Sequence, residues 1–243
     1  QQGLRGRRPT AREFHLLGLG LAALYRGAYG DARWFDVLRG EGMLDAAERA
    51  ALAEPRAQAW LRSLETTELS RSFKLILLRA LIAADALFTG LPVARLAELS
   101  LEELRKVPAL WPELTETRAL AGLDLTRGVT PAFVAHWRRN PVQAWGGPGG
   151  AGKEWFELRD DVLHSRIPAG MEPETLKALT AELIDYRLAD YLARDEFLCE
   201  VVLQRGIPTL RLIKDKGRTR RLPAGEVTVR LRPDAPWRFT LHE

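Results

Sequence analysis

The chain has 243 residues, of which 46% are hydrophobic and 28% charged, and its net charge is +4. This composition is typical of a soluble globular protein with one large or two small domains. It contains no segment long and apolar enough to span a bilayer. A single cysteine, Cys199, excludes a disulfide framework. We expect no signal peptide ahead of the fold and a reducing, cytoplasmic location.

The charge is unevenly distributed along the chain. Residues 197–243 contain ten Lys or Arg and five Asp or Glu, a net charge of +5, which leaves about −1 for residues 1–196. A basic C-terminal segment on a nearly neutral body indicates a surface for a polyanion.

The N-terminal part of the chain reads as a series of short helices. A loose basic segment precedes a helix over about 11–26, which Thr10 caps. Apolar residues at helical spacing, separated by Gly and Pro, then predict helices over about 31–39, 44–53 and 55–64.

The stretch 71–88 predicts the central element of the fold. From Leu75 to Phe88 it carries only two charges and neither Gly nor Pro, so we expect a core helix that ends near Gly90. The hydroxyls that precede it are expected to cap it. Arg71 and Lys74, on its first turns, could hold phosphates or could simply be solvated.

The second half of the body also carries helix signals. Ser100 and Glu103 form a capping-box pattern that predicts a helix start. Thr130-Pro131 predicts another helix start, and Asn140-Pro141 predicts its end. The run 154–164 predicts a hairpin that turns at Asp160-Asp161, and Pro173 opens a strongly periodic helix that extends to residue 192.

From residue 197 the apolar period changes from helical to alternating. Five short segments, 197–203, 209–214, 218–222, 226–232 and 237–242, are separated by Gly and Pro. The sequence therefore predicts a mainly α fold with a small C-terminal antiparallel β module (α+β). The predicted domains are a helical body, 1–196, and a small basic β module, 197–243.

No motif predicts a catalytic, cofactor or metal site. Residues 147–153 fit G-x-x-x-x-G-K, but Glu154 replaces the magnesium-binding hydroxyl and no helix is expected to follow, so we interpret them as a glycine loop. The four histidines (His15, His136, His164 and His242) lack metal-ligand spacing and are interpreted as core or surface residues.

Two basic segments are candidates for nucleic-acid binding. The stretch 210–222 could form a ribbon with one cationic face suited to phosphates, although such charges also guard a solvated sheet edge. Its cations are Arg211, Lys214, Lys216, Arg218, Arg220 and Arg221. Arg138 and Arg139, which follow Trp137, form a weaker candidate.

Three segments together resemble a region found after the motor of bacterial superfamily 2 DEAD/DEAH-box helicases of the restriction and phage-defence type. The first, 67–81, is similar to a T-x-S-[FY]-K-hydrophobic helix. The second, 137–145, is similar to a W-x-x-N-P-hydrophobic-x-A-W segment, with Trp155-Phe156 after it. The third, 183–192, is similar to an E-L-[IV]-D-[WY]-R-L-x-x-Y helix. The resemblance covers about residues 66–222 in matching order.

The resemblance implies a helical accessory region that helps a helicase motor grip DNA, single- or double-stranded. The motor's phosphate loop and DEAD/DEAH strand are absent from these residues, so no ATPase residue is transferred, and no cofactor is predicted. The chain would be part of, or partner to, an ATP-dependent helicase in antiviral defence or DNA repair. Arg71 and Lys74 become stronger candidates for phosphate contact.

Three hypotheses follow from the sequence. The leading one is a non-catalytic nucleic-acid-binding accessory region that binds through the basic patches. The second is a protein–protein scaffold subunit whose Trp-rich body docks a motor or nuclease. The third is a metal-dependent nuclease whose acidic residues the sequence does not identify.

Overall fold

The computed structural model describes residues 7–16, 21 and 32–193, together with the backbone of four strands between residues 199 and 241. The chain divides into two compact units, Gln1–Ala193 and Arg194–Glu243, where the sequence predicted a division after residue 196. Helices dominate the first unit and antiparallel strands form the second, which confirms the predicted fold class. None of the described helices has the length and apolarity that crossing a membrane requires.

The helices of the first unit are short, apart from one near its end. They are α1 (Ala11–Leu16), α2 (Trp34–Gly40), α3 (Ala46–Ala51), α4 (Pro55–Thr66), α5 (Phe73–Ala83), α6 (Val93–Arg105), α7 (Trp111–Glu116), α8 (Pro131–Trp137), α9 (Gln143–Gly146) and α10 (Pro173–Leu192). A 3-10 turn, Pro108–Leu110, precedes α7, and a π-helical turn, Arg138–Val142, joins α8 to α9. The predicted helix over 11–26 is described at 11–16 and at residue 21.

The strands that the structure describes form three small antiparallel sheets. In the first unit β1 (Gly90–Pro92), β2 (Phe156–Arg159) and β3 (Val162–Ser165) pair in the order β1-β3-β2. In the second unit β4 (Cys199–Gln204) pairs with β5 (Ile207–Leu212), and β6 (Gly225–Leu231) pairs with β7 (Ala235–Leu241). The predicted strand over 218–222 lies outside the described residues.

The central helix is the core of the first unit, as predicted. The side chains of α5 from Leu75 to Leu78 are fully buried, and the helix packs against α6, α10 and the π-helical turn. Each buried aliphatic side chain of this size stabilises the fold by roughly 1.5–3 kcal/mol. The predicted end near Gly90 is wrong, because the helix stops at Ala83 and Asp85 adopts a left-handed φ of 54°.

Tryptophans fill the space around the central helix, and each of five donates its indole N–H to an acceptor. Trp60 donates to the Thr180 hydroxyl at 3.0 Å, and its ring lies edge-on to those of Trp155 and Phe156. The other four donate to Glu182, Ser100, the Lys74 carbonyl and Ser63. Large aromatic side chains are thereby buried without an unpaired polar group.

The predicted capping box at Ser100 is wrong. Helix α6 begins seven residues earlier, at Val93, so that Ser100 lies in its middle and is fully buried. Its hydroxyl accepts the indole N–H of Trp137 at 3.1 Å. Ser100 therefore makes a long-range contact with Trp137, although its spacing from Glu103 resembles a local helix cap.

The predicted helix end at Asn140-Pro141 is also wrong. The chain continues through the π-helical turn into α9, with Pro141 inside it. Proline has no N–H with which to satisfy a preceding carbonyl. The side-chain amide of Asn140 supplies that donor instead, to the His136 carbonyl at 2.9 Å.

The basic N-terminal segment is anchored where the structure describes it, and not loose. Arg8 donates to Glu48 and to Glu182, with closest distances of 2.6 and 2.7 Å. Thr10 and Glu13 form a reciprocal cap at the start of α1. This contact network joins the segment to α3 and α10.

Candidate nucleic-acid interface

The start of α5 forms one wall of a cavity of about 480 Å³, here named the cationic groove. The segment after α7 and the α8–α9 connection form the other walls. Its lining includes Arg71, Phe73, Lys74, Arg118, His136 and Asn140. Its charged lining residues are three cations and one carboxylate, that of Glu116, so the groove attracts anions.

Lys74 is held in a fixed position at this groove. Its Nζ donates to the Thr67 hydroxyl at 3.1 Å and lies 6.0 Å from the centre of the Trp145 ring. Trp145 in turn donates its indole N–H to the Lys74 carbonyl at 3.1 Å. Burial, followed by the nearby positive charge of Arg187, lowers the pKa of Lys74 below its usual value.

Arg187 of α10 fixes the segment that precedes Lys74. Its guanidinium donates to the backbone carbonyls of Glu65 and Thr67, so α10 is tied to the chain just ahead of α5. A planar guanidinium with five donors suits such a double contact. Thr67, which receives the Lys74 ammonium, is therefore positioned from a helix more than a hundred residues away.

The two arginines of the groove are partly or fully exposed and weakly engaged. Arg71 pairs with Glu116 at 3.3 Å, and the two side chains are 39% and 64% exposed. Such exposed pairs contribute about 0–1 kcal/mol. Arg118 makes no hydrogen bond or ion pair within the part of the chain that the structure describes. Both guanidinium groups can therefore turn towards a ligand at little cost.

His136 of α8 and Asn140 of the α8–α9 connection form the polar wall of the groove. Burial and the charge of Arg139 lower the pKa of His136, so the neutral imidazole is favoured. Its ring is edge-on to Phe73, at 6.1 Å between centroids. Asn140 is exposed and lies against the same histidine through its side-chain nitrogen.

The remaining predicted residues lie elsewhere. Arg138 does not line the groove; its Nε lies 3.1 Å from Asp161 in the β2–β3 turn. Arg139 is exposed and donates to the Ala135 carbonyl of its own helix. Arg211 lies in β5, in register with Glu200 of β4. Lys214, Lys216, Arg218, Arg220 and Arg221 lie outside the described residues.

The glycine loop at 147–153 is explained by packing. A turn and then strand β2 follow it, whereas a phosphate-binding loop precedes a helix. At Gly152 an added Cβ would lie 2.1 Å from the Trp145 ring, so only glycine fits there. The loop thus seals one side of the tryptophan that supports Lys74.

Sequence reasoning identified two groove residues and missed others. Arg118 has no signal, being one arginine in an irregular segment. His136 was interpreted only as a core or surface residue. Asn140 and Arg187 both fall in segments quoted for the helicase resemblance, and Asn140 also ends the weaker candidate that begins at Trp137, but neither was singled out.

Among the described residues no group of three or more His, Cys, Asp or Glu side chains is arranged to hold a metal ion. Comparison of the chain with protein-family models, with curated proteins and with solved structures gave no match.

Proposed function

We propose that this chain is a non-catalytic, cytoplasmic nucleic-acid-binding accessory region of a helicase-type DNA defence or repair machine. It grips the phosphate backbone through the cationic groove and through the basic β module, beside a helicase motor. The observation that carries the proposal is the convergence of Arg71, Lys74 and Arg118, from two distant segments, on one groove. Clustered Arg and Lys donors are the usual means of phosphate recognition.

The contacts of Lys74 further support the proposal. The three segments that resemble helicase accessory motifs are far apart in sequence, yet they contact one another around this residue. Trp145 of the second segment donates to the Lys74 carbonyl of the first, and Arg187 of the third donates to the Thr67 carbonyl. These contacts are explained if the three segments together position the Lys74 ammonium.

The test is a titration of the full chain with labelled single- and double-stranded DNA at about 50 and about 200 mM salt. We expect binding at the lower salt and a steep loss at the higher. For single strands, a fourfold rise in salt weakens binding about threefold for each phosphate neutralised. Absence of binding at both salts would refute the proposal and favour the protein–protein scaffold.

Charge-removal variants assign the binding to a surface. Arg71→Gln combined with Arg118→Gln should weaken DNA binding and flatten its salt dependence, because both side chains line the groove. Arg12→Gln is the matched control, since Arg12 is exposed on α1 and does not line the groove. Changing Lys216, Arg218 and Arg220 to Glu tests the β module in the same assay. If none of these variants differs from the control, binding does not use the proposed surfaces.

A further inference from the structure

We infer that the cationic groove receives one unpaired nucleotide, with its phosphate among Arg71, Lys74 and Arg118 and its base against the Asn140 wall. The inference rests on the proposed function and names the ligand of the same site. Its consequence is a preference for strand ends and unstacked nucleotides that carry an amino-bearing base.

The size and shape of the groove favour a single nucleotide over a duplex. Its volume of about 480 Å³ lies within the usual range of small-molecule sites, about 300–1,000 Å³. In a duplex the bases are stacked inside, so a concave cavity can meet only the phosphates at its rim. A nucleotide that has left the stack can place both its phosphate and its base inside such a cavity.

The donors for the phosphate are available in the folded chain. A lysine ammonium has three N–H donors, and Thr67 takes one of those of Lys74. Within the described residues Arg118 is uncommitted and Arg71 holds only the exposed Glu116. A phosphate can displace that carboxylate because an exposed ion pair is weak.

The first turn of α5 also attracts a phosphate to the groove. Ser72 is the N-cap residue of this eleven-residue helix, and its side chain makes no cap hydrogen bond. Phe73 and Lys74, the first two helical residues, line the groove. The positive end of the helix dipole therefore reinforces the three cations. Glu113, the buried acid that accepts the Ser72 N–H at 3.0 Å, does not line the groove.

The orientation of Asn140 predicts which bases fit. Its side-chain nitrogen donates to the His136 carbonyl at 2.9 Å, which fixes which end of the amide is the nitrogen. The amide oxygen accepts no hydrogen bond from the described residues and is free to accept one from a ligand. Adenine and cytosine carry an exocyclic amino group that can donate to it, whereas thymine does not.

The experiment is a calorimetric titration of the full chain with dCMP, dAMP, dTMP and inorganic phosphate. We expect dCMP and dAMP to bind about three- to tenfold more tightly than dTMP, the effect of one hydrogen bond, and all three more tightly than inorganic phosphate. Arg118→Gln should weaken all four ligands about tenfold, because a charge-assisted contact is lost. Arg12→Gln should leave them unchanged.

A second arm distinguishes the two sources of such a nucleotide. Single strands with and without a 5′-phosphate, and with C or T at the terminal or at an internal position, are compared in the DNA assay. A gain in affinity from the 5′-phosphate assigns the groove to strand ends. A gain in affinity when C replaces T at the internal position assigns it to unstacked internal nucleotides. Either gain supports the inference.

The inference is overturned if dCMP, dTMP and inorganic phosphate bind equally, or if none binds at about 10 mM. In that case DNA binding that still depends on Arg118 would leave the proposed function standing, with the groove reduced to an anion patch. Loss of DNA binding altogether would mark the failure of the proposed function itself.

Discussion

Replacement of Glu182 by Ala should destabilise the first unit by about 3–5 kcal/mol, because it breaks a buried network. One Glu182 oxygen accepts the indole N–H of Trp34 at 2.7 Å and the backbone N–H of Ala11 at 3.0 Å. Both oxygens accept from Arg8, and the two charged side chains are only 10–11% exposed. Burial would lower the pKa of Arg8, but its hydrogen bonds to Glu182 and Glu48 outweigh this effect and raise it.

The magnitude follows from what the substitution leaves behind. Arg8 keeps Glu48 at 2.6 Å and is not left wholly unpaired, which reduces the cost. Trp34 and Ala11 each lose their acceptor, and an unsatisfied buried donor costs about 1–3 kcal/mol. Glu182→Gln retains one oxygen for those donors and should cost less, about 2 kcal/mol.

The assay is urea unfolding of the full chain, followed by tryptophan fluorescence. Glu174→Ala is the matched control on the same helix, since Glu174 is 78% exposed and, among the described residues, pairs only with Lys177, at 2.6 Å. This exposed pair should contribute less than about 1 kcal/mol. If Glu182→Ala lowers stability no more than Glu174→Ala, the reasoning about the buried network is wrong.

Two further predictions concern the surroundings of the groove. Gly152→Ala should lower the urea midpoint because its Cβ would collide with the Trp145 ring. Gly149→Ala should not, because no atom lies within 4 Å of the Cβ it would add, and equal midpoints for the two variants would contradict the packing. The pKa of Lys74 is lowered on folding from its usual 10.5. At pH values between the folded pKa and 10.5 the unfolded chain therefore binds more protons than the folded chain, so this residue makes stability rise with pH in that range. Lys74→Met should remove that rise in urea midpoints measured across the alkaline range, and an unchanged slope would show that Lys74 is not its source.

Elements with strong local signals were predicted well from the sequence. Thr130 caps α8 by accepting the Phe133 N–H at 3.2 Å, with Pro131 at the first helical position. The β2–β3 hairpin turns at Asp160 and Asp161, which adopt φ values of 51° and 59°. Asp tolerates this conformation better than most residues, so the two adjacent aspartates were enough to predict the turn and its position.

Elements determined by tertiary contacts were predicted poorly. Ser100 and Glu103 have the spacing of a cap, but the serine meets the Trp137 indole and the glutamate binds Arg79 from the central helix. Neither Trp137 nor Arg79 lies within the few residues on which a cap is predicted. Strand β1 was missed for the same reason, because its three residues are extended only through pairing with β3.

The groove shows why the candidate site could be predicted only in part. Sequence reasoning favoured 210–222 because its cations alternate with Leu or Thr within one short stretch, whereas Arg118 lies more than forty residues from Lys74 and gave no signal. Water and salt weaken the attraction of exposed cations for a phosphate. Lys74, by contrast, is half-buried near the guanidinium of Arg187, an arrangement that disfavours its charge in the free protein. A bound anion would relieve that repulsion, so we expect this convergent site, and not the ribbon, to discriminate between ligands.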